Sequence, residues 1–440
     1  MIKKLLLLLA LLSAGLAPAG AQFADQANFA GTGAGTANAQ TVTLNNVSSY
    51  ADLLGVPVSF IPGATNTTTA TFQVNSLAAT AVRKPSSGGL AVLSGNEFVT
   101  GQTATVIYDG TFFVIVSSVN STIQNVAISP QGYLTPCQVT AGSPVSGCAA
   151  GQLTPTGDVV STTVLYYEPV VGNQIPIYNG ANLVPTTFSE LTLTIPSSRL
   201  ANTIYDVCVF SNAGTPTAAF SVAWTTSSAG SGARGSGAGT AQIGRTLGVW
   251  TNSVAISAVN GASTFSVPAN QCTIAATVLI DGVAGQTTFH RTFGQSRKWA
   301  AWNFYNRLPI YLKAGDGTAT WSCATCGPRP ANNNNANSLT LLSGLAEETF
   351  DIRSIMTGTD VAGSSGLTGI GFNSNSAFGG TRASFNKGTG TDERTLNTSF
   401  MAPPFVGTNN VFILEQVTNA ATVQFNGTEV FMVLDAQWRG

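Results

Sequence analysis

Apolar and polar residues alternate along most of this 440-residue chain in short runs, the period-two pattern of strands with one face buried. Four runs meet turn dipeptides that favour hairpins. Residues 106–108 reach Asp109-Gly110 and 111–116 return, while residues 175–178 reach Asn179-Gly180. Residues 276–280 reach Asp281-Gly282, and residues 421–425 reach Asn426-Gly427 before 428–434 return. Helical periodicity is weak, with short candidates at residues 49–54 and 343–349. The pattern predicts an all-β chain: a small N-terminal β-module followed by a larger antiparallel β-sandwich of jelly-roll-like type.

One segment breaks the pattern. Lys3 and Lys4 precede an almost wholly apolar run over residues 5–16, and Ala19-Gly20-Ala21 follows. A basic start, a short apolar core and a small-residue site predict a secretory leader cut after Ala21. The core is shorter than the roughly 20 residues that a spanning helix needs. The expected organisation is a signal peptide at residues 1–21, an N-terminal β-module at 22–119, a Pro/Gly/Cys-rich connector at 120–160 and a C-terminal β-sandwich at 161–440. Residues 227–240 and 331–337 read as flexible surface loops from their Gly, Ser and Asn content. The mature chain is expected outside the cytoplasm, at a cell surface or on a virion, without a membrane span.

Composition sharpens this reading. Only 8% of the residues are charged, with 18 Lys+Arg against 19 Asp+Glu, where soluble domains average about 25%. A net charge of −1 offers phosphates no footprint, so nucleic-acid binding through a basic patch is excluded. The 44% hydrophobic content suffices for a core, which excludes a disordered tail. Exposed positions must then be largely Asn, Thr, Ser, Gln and Gly. A surface so weakly charged does little to keep copies apart, which predicts assembly with like subunits or with a particle.

The six cysteines fit an exported protein. Cys137 and Cys148 bracket a Gly/Ser/Pro loop and predict a local disulfide. Cys323 and Cys326 form a CxxC with three readings: a tight disulfide in a Pro/Gly-rich turn, a redox centre at a helix N-terminus, or half a zinc site. The chain has one His and no second CxxC, so the structural disulfide is the expectation. Cys208 and Cys272 lie in strand-like runs and either pair across a sheet or stay buried and reduced.

Two sets of motifs resemble modules of tailed-bacteriophage virion proteins. The first is Gly35-Thr36-Ala37-Asn38-Ala39-Gln40-Thr41-Val42-Thr43-Leu44, then Pro62-Gly63-Ala64-Thr65-Asn66-Thr67, then Val106-Ile107-Tyr108-Asp109-Gly110-Thr111-Phe112. It resembles a β-module common in tail-fibre proteins. The second includes Leu165-Tyr166-Tyr167-Glu168-Pro169, Gly172-Asn173-Gln174-Ile175-Pro176-Ile177-Tyr178, Trp302-Asn303-Phe304-Tyr305-Asn306-Arg307 and Gly344-Leu345-Ala346-Glu347-Glu348. The resemblance implies a fibre, spike or collar component, trimeric or otherwise oligomeric, that acts in assembly and host attachment and is not catalytic. The implied partners are virion proteins or a host cell-surface polysaccharide. A secretory leader departs from this pattern, because tail proteins assemble in the cytoplasm. It leaves an exported virion component or a bacterial surface protein built from phage modules.

Chemistry-bearing residues are few. A nucleophile–histidine system has only His290 available, and the plain reading is a half-exposed strand residue. Glycoside hydrolysis would need paired carboxylates, for which Glu347, Glu348 and Asp351, or Asp392 and Glu393, are candidates; solvation or turn capping is the plainer account. Gly230-Ser231-Gly232-Ala233-Arg234-Gly235 matches a dinucleotide fingerprint by letter, but no helix is expected after it. The densest aromatic–basic stretch is Trp299, Trp302, Phe304, Tyr305 and Tyr311 among Arg297, Lys298 and Arg307. Trp299, Trp302, Tyr305 and Arg307 are therefore candidate glycan contacts, against the competing reading of buried core. No metal or cofactor is expected. A polysaccharide depolymerase and a surface-layer or matrix protein stand as rivals to the attachment reading.

Overall fold

The computed structural model describes residues 28–86, 88–117, 129–139, 145–360, 365–386, 392–403, 405–419 and 422–440. The expected leader, residues 1–21, lies outside them. The chain is all-β: among the described residues there is no α-helix, only 3-10 turns at Tyr50–Leu53 and Ala331–Asn333. It forms two compact units, one within Met1–Gln124 and one within Asn125–Gly440.

The first unit is a nine-stranded sheet. It is mixed: Asn28–Thr32 runs parallel to Pro57–Ile61, Ala39–Val42 to Thr71–Val74, and Thr80–Ser86 to Phe113–Ser117. The alternating residues of these strands turn inward onto a cluster of four phenylalanines that meet tilted or edge to face. Phe60 and Phe72 rings lie 4.7 Å apart, Phe72 and Phe113 4.9 Å, and Phe60 and Phe98 5.4 Å, pairings worth about 0.5–1.5 kcal/mol each beyond burial. The hairpin at Asp109-Gly110 forms between Ala104–Tyr108 and Phe113–Ser117. Asp109 Oδ1 accepts the Thr111 and Phe112 N–H groups at 2.8 and 2.7 Å, and Gly110 takes the left-handed φ of +102° that the turn requires.

In the second unit, one eight-stranded sheet has Thr273–Leu279 and Ile204–Asn212 at its centre. Thr273–Leu279 is buried along its whole length. Two six-stranded sheets follow, one centred on Gly407–Val417 and one on Phe350–Asp360, and they pack as a sandwich. A single continuous core joins all three sheets. The hairpin at Asn179-Gly180 forms between Gln174–Tyr178 and Leu183–Thr187.

Four expectations need correction. The 120–160 stretch is not simply a connector: Gly132–Thr135 is a buried strand paired with Val164–Pro169, because Tyr133 and Leu134 are core residues of the second unit. Asp281-Gly282 makes no hairpin, since Thr273–Leu279 has its neighbours in Ile204–Asn212 and Ala301–Asn303, and Thr287–Phe289 pairs instead with Val159–Thr162. Asn426-Gly427 makes none either: Thr422–Asn426 and Met432–Arg439 run one after the other along the same flank of Phe350–Asp360. Residues 227–240 and 331–337 are anchored rather than loose. Arg234 reaches inward to Asp206, and Asn337 is buried against Asp316 at 2.7 Å.

All six cysteines are bonded, as Cys137–Cys148, Cys208–Cys272 and Cys323–Cys326. Three disulfides fit an oxidising compartment. Among the described residues, no helix is long and apolar enough to cross a membrane.

Candidate functional site

The aromatic–basic stretch that sequence singled out is mostly interior. Trp299 and Trp302 are each 1% exposed, so neither ring can lie against a sugar. This corrects their assignment as glycan contacts. Trp299 packs edge-on to Phe289 at 5.1 Å and Trp302 to Phe304 at 5.2 Å. The ring of Trp302 passes so close to Gly344 that a Cβ there would stand 2.4 Å from it, which is why a glycine opens the Gly344-Leu345 motif. Tyr305 accepts the Trp250 N–H through its hydroxyl at 2.9 Å, and burial raises its pKa. Arg307 lies over Trp302, 4.5 Å from the ring centre, and binds both Glu347 and Glu348. Tyr305 and Arg307 thus border a recess of about 280 Å³ with Asn306, Glu348 and Arg439, but the guanidinium there is already neutralised.

The remaining chemistry candidates are similarly committed. His290 Nδ1 accepts the Lys298 backbone N–H at 3.0 Å; burial, with help from Arg297 and Lys298 and against the pull of Asp158, lowers its pKa. Asp351 pairs with Arg353 and Glu393 accepts from Asn426, so these carboxylates serve separate neighbours. The glycine-rich loop delivers Arg234 to Asp206, where Nε and Nη2 bind the carboxylate at 2.6 and 2.8 Å over the Trp224 ring. Sequence gave no sign of that buried pair. The sulfurs of Cys323 and Cys326 lie near Glu415, with ligand atoms within 4.8 Å of one another. The sulfurs are bonded to each other, and Glu415 accepts from Trp321 Nε1 and from Arg329 Nε at 2.8 Å. Burial raises the Glu415 pKa, and its donors oppose that rise. The cluster ties the two sandwich sheets together and presents no open ligand set.

Among the described residues, two further surfaces are open enough to receive a partner. The first is a groove of about 620 Å³ in the second unit. Its walls are the tips of two hairpins, at residues 177–186 and 210–214, and the edge strand Ser263–Val267. Phe210 and Phe265 rings lie 5.2 Å apart in it, and Tyr178 is held over its own turn by a hydroxyl bond to the Gly180 carbonyl at 2.9 Å. Gln271 is next to Cys272, whose disulfide to Cys208 fixes that wall to the central strand. None of its lining residues is an Asp, Glu, Lys, Arg or His, so the groove carries no formal charge near neutral pH. Sequence reasoning missed this site because its residues come from four separate stretches, none of them unusual alone.

The second is the outer face of the sheet built on Phe350–Asp360. Across it Tyr311, Gln437, Asp351 and Met401 stand in one row, and Lys313, Asp435, Arg353 and Ser399 in the next. Tyr311, Ile355 and Met401 are 39%, 37% and 70% exposed. This face mixes apolar side chains with charges whose signs alternate.

No protein-family profile matches the chain, and no curated protein matches it either. Among solved structures, infectious bursal disease virus Gx strain aligns over 70% of this chain and 79% of that chain, at 12% identity and a TM-score of 0.22. The insecticidal delta-endotoxin Cry8Ea1 from Bacillus thuringiensis aligns over 64% and 51%, at 7% identity and a TM-score of 0.18. Scores this low carry no argument about architecture or activity.

Proposed function

We propose that this chain is an exported, non-enzymatic structural and attachment protein, similar to phage fibre or spike components, that works as an oligomer on a virion or cell surface. The observation that supports it best is the outer face around Tyr311, Ile355 and Met401. A sheet with its inner side in the core and apolar residues on its outer side is suited to cover by another protein surface. The low charge of the chain acts in the same direction. Bonded cysteines suit a protein that must persist outside the cell. Sedimentation of the mature protein tests the reading. The expected result is a defined oligomer that Met401→Glu shifts toward monomer. A wild-type monomer at high concentration that also decorates neither particles nor cell surfaces in electron micrographs would overturn it.

A further inference from the structure

We infer that the groove between the hairpin tips binds an uncharged carbohydrate; this rests on the attachment reading and moves the ligand site away from the tryptophan-rich stretch. The chemistry of the lining selects the class. An acidic ligand would have to shed water from its charge into a groove that offers no cation in return. A wholly apolar ligand would leave side-chain amides without partners. A sugar meets both conditions, because its ring presents C–H faces for aromatic contact and hydroxyls for amides.

The groove supplies both kinds of partner. Phe265 and Tyr178 are half-buried and offer the aromatic surface. The amides are Asn179, Asn212 and Gln271. Asn179 spends its oxygen on the Ala181 and Asn182 N–H groups, and its amide nitrogen has no acceptor among the described residues. The Asn212 and Gln271 side chains have no hydrogen-bond partner among the described residues either. Gly180, at φ +99°, leaves the space beside Gln271 open; a Cβ there would stand 3.5 Å from Gln271 Nε2. The walls are held before any ligand arrives: the Thr273 hydroxyl binds the Pro176 carbonyl, and the disulfide at Cys272 adjoins Gln271. A volume near 620 Å³ lies within the range of small-molecule sites, about 300–1,000 Å³.

The test is binding of the intact mature protein to immobilised neutral oligosaccharides (gluco-, manno-, galacto- and N-acetylglucosamine series), beside polygalacturonate and hyaluronate. The expected result is binding to at least one neutral series and to neither acidic polymer. Phe265→Ala should weaken it about tenfold, and Gln271→Ala, a smaller change that spares the core, should weaken it several-fold. Thr264→Arg should weaken neutral binding while leaving the melting temperature unchanged. Failure to bind any neutral glycan, preference for the acidic polymers, or neutral binding untouched by these three variants would each overturn the inference. Preference for extended peptides, paired on the edge of Ser263–Val267, would overturn it as well. Oligomerisation and surface decoration are unaffected by those outcomes, so the broader reading stands or falls separately.

Discussion

Replacing Arg234 by Ala should be among the most damaging single changes to the large unit. Asp206 is fully buried between Ile204–Asn212 and its neighbours, and Arg234 is the residue that meets its charge, with two nitrogens at 2.6 and 2.8 Å. After the change Asp206 keeps its bonds from Trp224 Nε1 at 3.0 Å and Thr277 Oγ1 at 2.7 Å, but no cation. A buried carboxylate stripped of its partner costs about 3–5 kcal/mol. The loss of stacking on Trp224, 4.1 Å from the guanidinium carbon, acts in the same direction. For a unit of this size about 2 °C accompanies each kcal/mol, so the melting temperature should fall by about 6–10 °C. Differential scanning calorimetry measures this, with Arg353→Ala as control, since its pair with Asp351 is open to solvent and should matter little. The double variant Asp206→Asn, Arg234→Ala should recover part of the loss, because no uncompensated charge remains. A fall below about 2 °C for Arg234→Ala, or no recovery in the double variant, would refute the reasoning.

Other outcomes follow from the same structure. Gly344→Ala should cost about 1–3 kcal/mol by forcing Trp302 from its place, read as a lower melting temperature and reduced soluble yield. Removing Cys208–Cys272, which spans 64 residues, should cost about 4 kcal/mol by the loop-closure relation, whereas removing Cys323–Cys326, which spans 3, should cost about 2 kcal/mol; denaturant titration of the two double-Ala variants compares them. Burial would raise the Glu97 carboxyl, but Asn66, Lys84 and the Ser94 and Gly95 N–H groups outweigh it and hold it at about 2. Its contribution should therefore be complete above about pH 4.5, the value for an unpaired glutamate, and disappear as pH falls toward 2. Hydrogen exchange of residues 80–100, followed by mass spectrometry, should show acid-induced opening that Glu97→Gln makes nearly pH-independent.

The β character of the chain was legible throughout, because one-sided burial writes itself directly into alternation. Two of four turn dipeptides behaved as hairpins for a local reason: Asp109 and Asn179 each accept the N–H groups two and three residues further along their own loops. Asp281 has a similar sequence setting but spends its carboxylate on Lys298 and Thr288, partners that only the fold brings near. Pairing of Thr273–Leu279 was likewise decided by strands 60 or more residues away in sequence, or across a loop. The aromatic stretch showed that large side chains lie at 299–305 but not which way they face. Arg234 hid inside a segment whose glycines signalled only freedom. The groove was invisible for a third reason: it is a property of loop ends meeting, and no single stretch carries its chemistry.

The broken path beside Phe350–Asp360 has a practical consequence. Residues 427–431 leave that strand and return to it, with Gly427 pinned so tightly that a Cβ would strike the Thr318 carbonyl, while Val430 at the crest is 82% exposed. Both ends of the detour are clamped by ladders that do not depend on its contents. A foreign peptide spliced in after Val430 would be carried on the outside while register on either side is kept, which makes this crest a natural port for display.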